Sequence, residues 1–179
     1  MKTILLIIYN YIRFLKKKIY CRSISIDKIQ MLGINSRLIF HRNSKIVIGK
    51  HCVTDGRFVI VTDKNSDLFI GNRVYFNENC MISCKDRINI GDGCRFGPNV
   101  TIIDNNHIFN KEQGVCDEYT HGEIKIGEHC WIGANVVILK GTKIGKNSVI
   151  GAGCVVTGNI PEGSIVKQNR KLEIERIDR

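Results

Sequence analysis

A six-residue repeat in the C-terminal half limits what this chain can fold into. Aliphatic residues recur at every sixth position: Ile126, Ile132, Ile138, Ile144, Ile150 and Val156. Glycine directly follows four of these six residues. Glycine after each core residue would weaken both a helix and a long strand. A chain that turns a corner every six residues accommodates the pattern. Three such hexads close one triangular coil, and successive coils stack as parallel strands in a solenoid.

The same repeat occurs earlier with short insertions, beginning at Ile48-Gly49 and continuing at Ile70-Gly71 and Ile90-Gly91. The step from Ile102 to Ile126 exceeds one hexad, so residues from about 104 to 123 are predicted to leave the coil as an excursion loop. The pattern therefore predicts an all-β fold, a parallel β-helix of hexapeptide repeats over residues 46–166. A basic, partly helical segment at 1–45 precedes it, and a tail at 167–179 follows.

The net charge of +10 does not indicate a nucleic-acid-binding protein. Ten basic residues and one acid, Asp27, stand up to Lys45, whereas 17 basic and 16 acidic residues follow. The excess charge therefore belongs to the N-terminal segment, and no RNA- or DNA-binding motif is present. We expect no nucleic-acid partner.

The opening MKTILLIIYNYIRFLKKKIYCR combines apolar residues with a basic cluster. Its apolar stretch is shorter than the roughly 20 residues of a spanning helix. The segment Arg13-Phe14-Leu15-Lys16 offers no small-residue cleavage site, which disfavours a secretory signal. Two alternatives remain: residues 1–20 form a helix on an anionic membrane surface, or a helix that packs on one end of the domain or in an oligomer. We expect a cytoplasmic protein, peripheral on the inner membrane face in the first case.

Most of the eight cysteines fit the repeat. Five occupy the small-residue position of a hexad, where a thiol acts as a small apolar group: Cys52, Cys80, Cys94, Cys130 and Cys154. No C-x-x-C pair exists, so we expect neither a disulfide framework nor a metal site. Only Cys116, in the excursion, is expected to be exposed.

A solenoid has no crevice of its own, so chemistry is expected at the excursion, the ends or a groove between copies. His107 stands where the chain departs from Ile102, and a neutral imidazole suits removal of a proton from a hydroxyl. The alternative is a plain polar loop residue. His51 and His129 occupy equivalent hexad positions and are interpreted as exposed corner residues, which leaves His121 as the other candidate.

The stretch IGDGCRFGPNVTIIDNNH and the segment WIGANVVILKGTKIGKNSVIGAGCVVTGNIPEGS resemble the hexapeptide-repeat acyltransferases. They are most similar to the galactoside and maltose acetyltransferases and to the capsule or lipopolysaccharide O-acetyltransferases. The resemblance implies a left-handed β-helix, a homotrimer with active sites at its interfaces, acetyl-CoA as donor and His107 as the base. It thereby implies O-acetylation of a sugar hydroxyl, in capsule, O-antigen or exopolysaccharide biosynthesis.

The resemblance also suggests contact residues. Asn77 falls where the family keeps an acceptor-binding asparagine beside the catalytic histidine, and Asn79 and Asp104 are further acceptor candidates. A corner asparagine in a left-handed conformation is the alternative for both asparagines. The positions that match coenzyme contacts are Trp131, Ala134, Ala152 and Thr157, with the Ala134 N–H stabilising an oxyanion. Trp131 could instead pack against the excursion.

The sequence departs from the family pattern towards its C-terminus. Gly158 follows Thr157 where lysine is common, and the usual proline-containing run is replaced by QNRKL. Arg170 and Lys171 remain the candidates for the coenzyme phosphates, beside three further cations: Lys143, Lys146 and Lys167. The alternative is a solvated basic tail.

Other functions stay open at this point. N-acetylation of an amino sugar or sugar nucleotide would use the same His107. A catalytically silent scaffold would use only the solenoid, and antibiotic acetylation is a further possibility.

Overall fold

The computed structural model describes residues 2–21 and 23–169. Within them, one helix, α1 (Lys2–Tyr20), precedes a solenoid whose three faces are parallel sheets. This confirms the expected left-handed parallel β-helix. Sheet 1 contains β1 (Ser23–Ile26), β3 (Lys45–Ile48), β6 (Asp67–Ile70), β9 (Arg87–Ile90), β14 (Ile124–Ile126), β17 (Lys143–Ile144) and β20 (Asn159–Ile160).

The other two faces are built in the same way. Sheet 2 contains β4 (Val53–Thr54), β7 (Tyr75–Phe76), β10 (Arg95–Phe96), β15 (Trp131–Ile132), β18 (Val149–Ile150) and β21 (Ile165–Val166). Sheet 3 contains β2 (Arg37–Ile39), β5 (Phe58–Thr62), β8 (Cys80–Cys84), β11 (Thr101–Ile103), β16 (Val137–Ile138) and β19 (Val155–Val156). Each inner strand pairs with the strands one coil above and one coil below, and the strands at the ends of each sheet pair on one side.

The aliphatic residue of each hexad points into the bore. Ile132 is fully buried and lies in register between Phe96 and Ile150 of the adjacent coils. In the wider early coils the rings of Phe58, Phe76 and Phe96 form a stack with centroids 4.5 Å apart at each step. The repeat therefore encodes one continuous core along the solenoid axis.

Close approach between coils explains the glycine that follows the core residue. A Cβ on Gly127 would lie 2.5 Å from the backbone nitrogen of Lys146, and one on Gly133 would lie 2.7 Å from that of Ala152. Side chains at these positions would force neighbouring coils apart. His51 and His129 are exposed corner residues with φ of 56° and 57°, as the hexad pattern predicts.

The cysteines lie where the repeat places them. All five hexad cysteines are buried, whereas Cys116 is half-buried on the excursion. Burial raises the pKa of the Cys52 and Cys80 thiols to about 11. These groups therefore stay protonated near neutral pH and act as packing residues.

The solenoid begins earlier than residue 46. β1 starts at Ser23 and pairs with β3, so residues 23–45 form the first coil rather than part of a separate N-terminal segment. The irregular spacing of this coil hides it from a search for hexads. Among residues 2–21 and 23–169, no helix has the length and apolar character needed to cross a bilayer.

Helix α1 lies across the open end of the first coil. The side-chain amide of Asn10, fully buried, donates to the Leu32 carbonyl at 2.8 Å, and the Cys21 thiol contacts the Ser44 carbonyl at 3.3 Å. Phe14 is buried between them along the helix. The helix therefore closes the core at one end, as one of the two sequence-based alternatives states.

Candidate active site

The excursion is a β-hairpin and not an irregular loop. β12 (Asn105–Asn110) pairs antiparallel with β13 (Gly114–His121), with an irregularity in register between His107 and Phe109. The hairpin leaves the solenoid after β11 and returns before β14, at the edge between sheets 3 and 1. The spacing from Ile102 to Ile126 predicts its bounds but contains no signal for its pairing.

His107 is exposed on this hairpin and held by its backbone. Its Nδ1 lies 3.1 Å from the carbonyl oxygen of Cys116 on the opposite strand. Because a carbonyl only accepts hydrogen bonds, this contact selects the neutral tautomer that has the proton on Nδ1 and the lone pair on Nε2. Nε2 is the atom that can accept a proton from a hydroxyl.

Two side chains absent from the sequence-based candidates lie beside the imidazole: Tyr119 contacts it, and Lys85 contacts Tyr119. The Tyr119 ring packs against His107 with centroids 4.3 Å apart. The Lys85 ammonium lies 3.1 Å from the centroid of the Tyr119 ring and 3.5 Å from a carboxylate oxygen of Asp63. No spacing rule points to Lys85, since it belongs to a solenoid corner and meets the hairpin only in three dimensions.

Asp104 is an anchor of the hairpin and not a substrate-binding residue, contrary to the expectation from sequence. Its carboxylate is fully buried and accepts hydrogen bonds from the backbone N–H groups of Lys85 at 2.8 Å and Asp86 at 2.8 Å. The side-chain amide of Asn105 donates to it at 3.1 Å. These donors occupy the carboxylate, so it is unavailable to a sugar.

One chain does not bring Asn77 to His107, so the expected pairing of these two residues is not made within a single copy. Asn77 lies at the edge between sheets 2 and 3, whereas the hairpin lies at the edge between sheets 3 and 1. The five residues of β8 span the face between these edges, about 16 Å at strand geometry. A site that contains both residues requires two copies of the chain.

The two asparagines have local backbone roles. Asn79 adopts φ of 58°, a left-handed corner conformation that asparagine tolerates, so the backbone accounts for its presence. The Asn77 side-chain oxygen accepts from the Glu78 N–H at 2.7 Å, and the residue is half-buried. Of the pair, Asn77 is the better placed to contact a ligand.

The coenzyme candidates divide between the same two edges. Ala134 and Ala152 lie in the row of corners above Asn77, whereas Thr157 follows β19 at the edge of the hairpin. Within the part of the chain that the structure describes, the N–H of Ala134 has no hydrogen-bond partner. Trp131 is 59% exposed on the outer side of β15 in sheet 2.

The structure describes three of the five cationic residues that are candidates for contacting the coenzyme phosphates. Lys143 and Lys167 are exposed, and Lys146 forms an ion pair with Glu162 at 3.3 Å. Arg170 and Lys171 lie outside the described residues. No cluster of potential metal ligands occurs within residues 2–21 and 23–169.

Residues 123–158 match the family model described as bacterial transferase hexapeptide (six repeats). The chain is 34% identical over 118 residues to galactoside O-acetyltransferase of Lactococcus lactis, covering 66% of this chain and 56% of that protein. It is 42% identical over 96 residues to galactoside O-acetyltransferase of Escherichia coli, covering 54% and 47%. The chain thus spans about half the length of these curated relatives.

A variant of AntD, an N-acyltransferase from Bacillus cereus, has the same fold. The two structures superpose with a TM-score of 0.67 at 15% sequence identity, over 92% of this chain and 90% of that chain. That structure holds coenzyme A and dTDP-4-amino-4,6-dideoxyglucose. At this identity the likeness extends to the fold alone.

Proposed function

We propose that this chain is a member of the hexapeptide-repeat family of bacterial transferases and an acetyl-CoA-dependent O-acetyltransferase acting on a sugar hydroxyl. The observation that carries the proposal is the arrangement of His107. The Cys116 carbonyl accepts from Nδ1–H, so the neutral tautomer with its lone pair on Nε2 is favoured, and His107 is exposed on the hairpin. Galactoside O-acetyltransferases are the relatives that support a hydroxyl acceptor over an amine.

The reaction proceeds as direct transfer. Nε2 of His107 takes the proton of the acceptor hydroxyl as its oxygen attacks the thioester carbonyl carbon of acetyl-CoA. The carbon–sulfur bond then breaks, and the coenzyme thiolate takes the same proton from Nε2. The N–H of Ala134 donates to the carbonyl oxygen while it carries negative charge. No covalent acetyl-enzyme forms, and no metal ion takes part in the steps proposed here.

We propose a homotrimer in which the active site lies between two copies. Sheet 3 supports this because its outward side chains are largely apolar: Val59, Met81, Val137 and Val155. A neighbouring copy that covers this face would bring its Asn77 edge towards the hairpin of the first. Asn77 would then orient the attacking hydroxyl, accepting one hydrogen bond from the sugar and donating another.

The proposed setting is the cytoplasm, in capsule, O-antigen or exopolysaccharide biosynthesis. Eight unpaired cysteines suit a reducing compartment. Membrane proximity, developed below, favours a lipid-linked or polymeric glycan over a free disaccharide as acceptor.

The first experiment measures thiol release from acetyl-CoA against hexoses, hexosamines, sialic acid and glycan oligomers. Release that requires a hydroxyl acceptor and falls about 10²- to 10⁴-fold in His107→Ala supports the proposal. His129→Ala is the matched control, because His129 is an exposed corner residue on the solenoid, and it retains full release. Release only with amine acceptors would replace the proposal with N-acetylation. No release together with no coenzyme binding would indicate a scaffold.

A mixing experiment tests the site between copies. His107→Ala and Asn77→Ala are each purified, unfolded together and refolded as mixed oligomers. If one site takes His107 from one copy and Asn77 from the next, about a quarter of the sites in an equimolar mixture carry both native residues. Activity above that of either variant alone is the expected result. A mixture as inactive as its parts would overturn a site shared between copies.

A further inference from the structure

The outer face of α1 is apolar although nothing in the described chain covers it. Large apolar side chains with exposed fractions between 42% and 79% line this face: Ile4, Leu5, Ile8, Tyr11, Ile12, Leu15 and Ile19. At 3.6 residues per turn they fall within an arc of about 120°. This arc is opposite the face that carries the buried Asn10 and Phe14. The helix therefore closes the core with one side and presents a second apolar stripe with the other.

The apolar surface is concentrated at this end of the molecule. Of the 18 large hydrophobic side chains that are exposed among the described residues, 12 lie between Ile4 and Ile39. Ile34, in the first coil beside the helix, is 64% exposed. Continuous apolar patches of this kind mark surfaces that are covered by a partner.

Basic side chains border the stripe on both sides. On a helical wheel Lys18 falls at one edge, and Lys16 falls at the other. Both are exposed, and helix α1 contains no acidic residue. Long basic side chains at the edges of an apolar stripe suit a helix that lies in a lipid interface, because the ammonium groups reach the headgroups while the stripe is buried.

A groove beside the helix also combines apolar and basic side chains. Its volume is about 650 Å³, and it lies between α1 and the first coils of sheet 1. Tyr11 and Leu15 of the stripe line one side, and three cations, Lys18, Lys28 and Lys50, outnumber the one acid of the lining, Asp27. The apolar stripe and the cationic rim are thus contiguous.

We propose that this face docks on an anionic lipid bilayer, with α1 lying in the interface plane. Charge favours this occupant over a second copy of the chain. Two such helices face to face would bring together basic side chains with no acid between them, whereas anionic headgroups neutralise them.

Docking in this orientation sets the height of the candidate active site. The hairpin leaves the fourth coil, so three coil spacings separate it from β2 of the first coil. With about 4.8 Å per coil and a helix about 10 Å thick, His107 stands roughly 20–25 Å from the bilayer surface. This step alone rests on the proposed function, and it indicates an acceptor whose reacting hydroxyl projects that far from its lipid anchor. In a cyclic trimer all three helices lie on the same side, which strengthens docking by multivalency.

The test is co-sedimentation of the full chain with vesicles of phosphatidylglycerol and phosphatidylcholine, compared with phosphatidylcholine alone. We expect binding to the anionic vesicles that weakens as salt is raised. Ile8→Asp combined with Ile12→Asp lowers the partition coefficient at least tenfold, since it places charge in the apolar stripe. Ile165→Asp is the matched control: Ile165 is 68% exposed at the opposite end of the solenoid, and its variant binds as the native chain does.

A second set of variants tests the contribution of the basic side chains to vesicle binding. Lys16→Glu combined with Lys18→Glu weakens binding to anionic vesicles, whereas Lys111→Glu, at an exposed position of the hairpin turn, leaves it unchanged.

The depth of the helix in the bilayer is measured by quenching of tryptophan fluorescence with brominated lipids. Trp131 is the only tryptophan of the chain, and lies in the fifth coil. Its fluorescence stays unquenched, whereas Ile12→Trp in a Trp131→Phe background is quenched.

Failure of the folded native chain to bind anionic vesicles would overturn the proposal. So would unchanged binding by the Ile8 and Ile12 double variant. End-to-end association without lipid that this variant abolishes would assign the face to a second copy instead. Vesicle binding requires no turnover, so its failure is distinguishable from failure of the proposed acetyl transfer, and the double variant retains turnover on a soluble sugar.

Discussion

The solenoid coils and the β12–β13 hairpin differ in how their residues are held. In the coils each inner strand pairs with a neighbour on either side, and core residues such as Ile132 are fully buried. In the hairpin the two strands pair only with each other, and Phe109 and Val115 are 78% and 69% exposed. An isolated two-stranded hairpin is marginally stable in water. The molecule thus separates stability from chemistry: the coils provide a rigid support, and the hairpin carries His107.

The largest expected effect tests this separation through stability. Ile132→Ala removes a fully buried side chain from the middle of the bore and is expected to lower the free energy of unfolding by about 2–5 kcal/mol. Phe109→Ala removes a larger but exposed side chain and changes it by less than about 0.5 kcal/mol. Denaturant unfolding followed by circular dichroism measures both.

Equal losses for the two variants would mean that the hairpin packs against something in the assembled protein. Since Phe109 lies on the element that carries His107, the natural candidate is a neighbouring copy. Repeating the measurement at several protein concentrations separates these cases, because only an intersubunit contact depends on concentration.

The sequence predicts the coils far better than the site. A fixed step of six from Ile126 to Val156 determines which residues are buried, since every coil repeats the same contacts. The first coil is not predicted in this way, because inserted residues obscure its six-residue spacing. The contacts of Tyr119 with Lys85 and His107 are not predicted either, because Lys85 is far from the hairpin in sequence and meets it only when the hairpin folds back beside a corner. Asp104 shows the same limit: spacing cannot distinguish a buried anchor from a ligand contact.

The junction between the two regions is expected to give an intermediate effect. Asp104→Asn replaces one carboxylate oxygen with an amide that donates, so an N–H of Lys85 or Asp86 loses its acceptor. A loss of about 1–3 kcal/mol in unfolding free energy follows. Because the same carboxylate holds the start of the hairpin, turnover falls along with stability. Asp117→Asn, on the exposed outer strand, is the matched control and changes neither.

Loss of turnover in Asp104→Asn at a temperature where the variant is fully folded would assign the residue to positioning the hairpin. Turnover with a raised KM for the sugar and an unchanged kcat would instead restore the acceptor-binding role expected from sequence. The two outcomes separate because a buried anchor acts on the position of His107, whereas a ligand contact acts on binding.

The smallest expected effect concerns the Tyr119 ring, which contacts both Lys85 and His107. The ammonium of Lys85 lies over one part of the Tyr119 ring, and the imidazole packs against the same ring. Tyr119→Leu removes the aromatic surface and is expected to lower kcat up to about tenfold, since cation–π and ring contacts are each worth about 1 kcal/mol. Tyr119→Phe keeps the ring and retains native turnover, so the phenol oxygen is not required. If Tyr119→Phe loses as much as Tyr119→Leu, the hydroxyl itself contacts the substrate, and the hairpin contributes a second polar group to the site. If neither variant changes kcat, the Cys116 carbonyl alone fixes the imidazole. The hairpin then holds the catalytic base with its own backbone, without help from side chains of the coils.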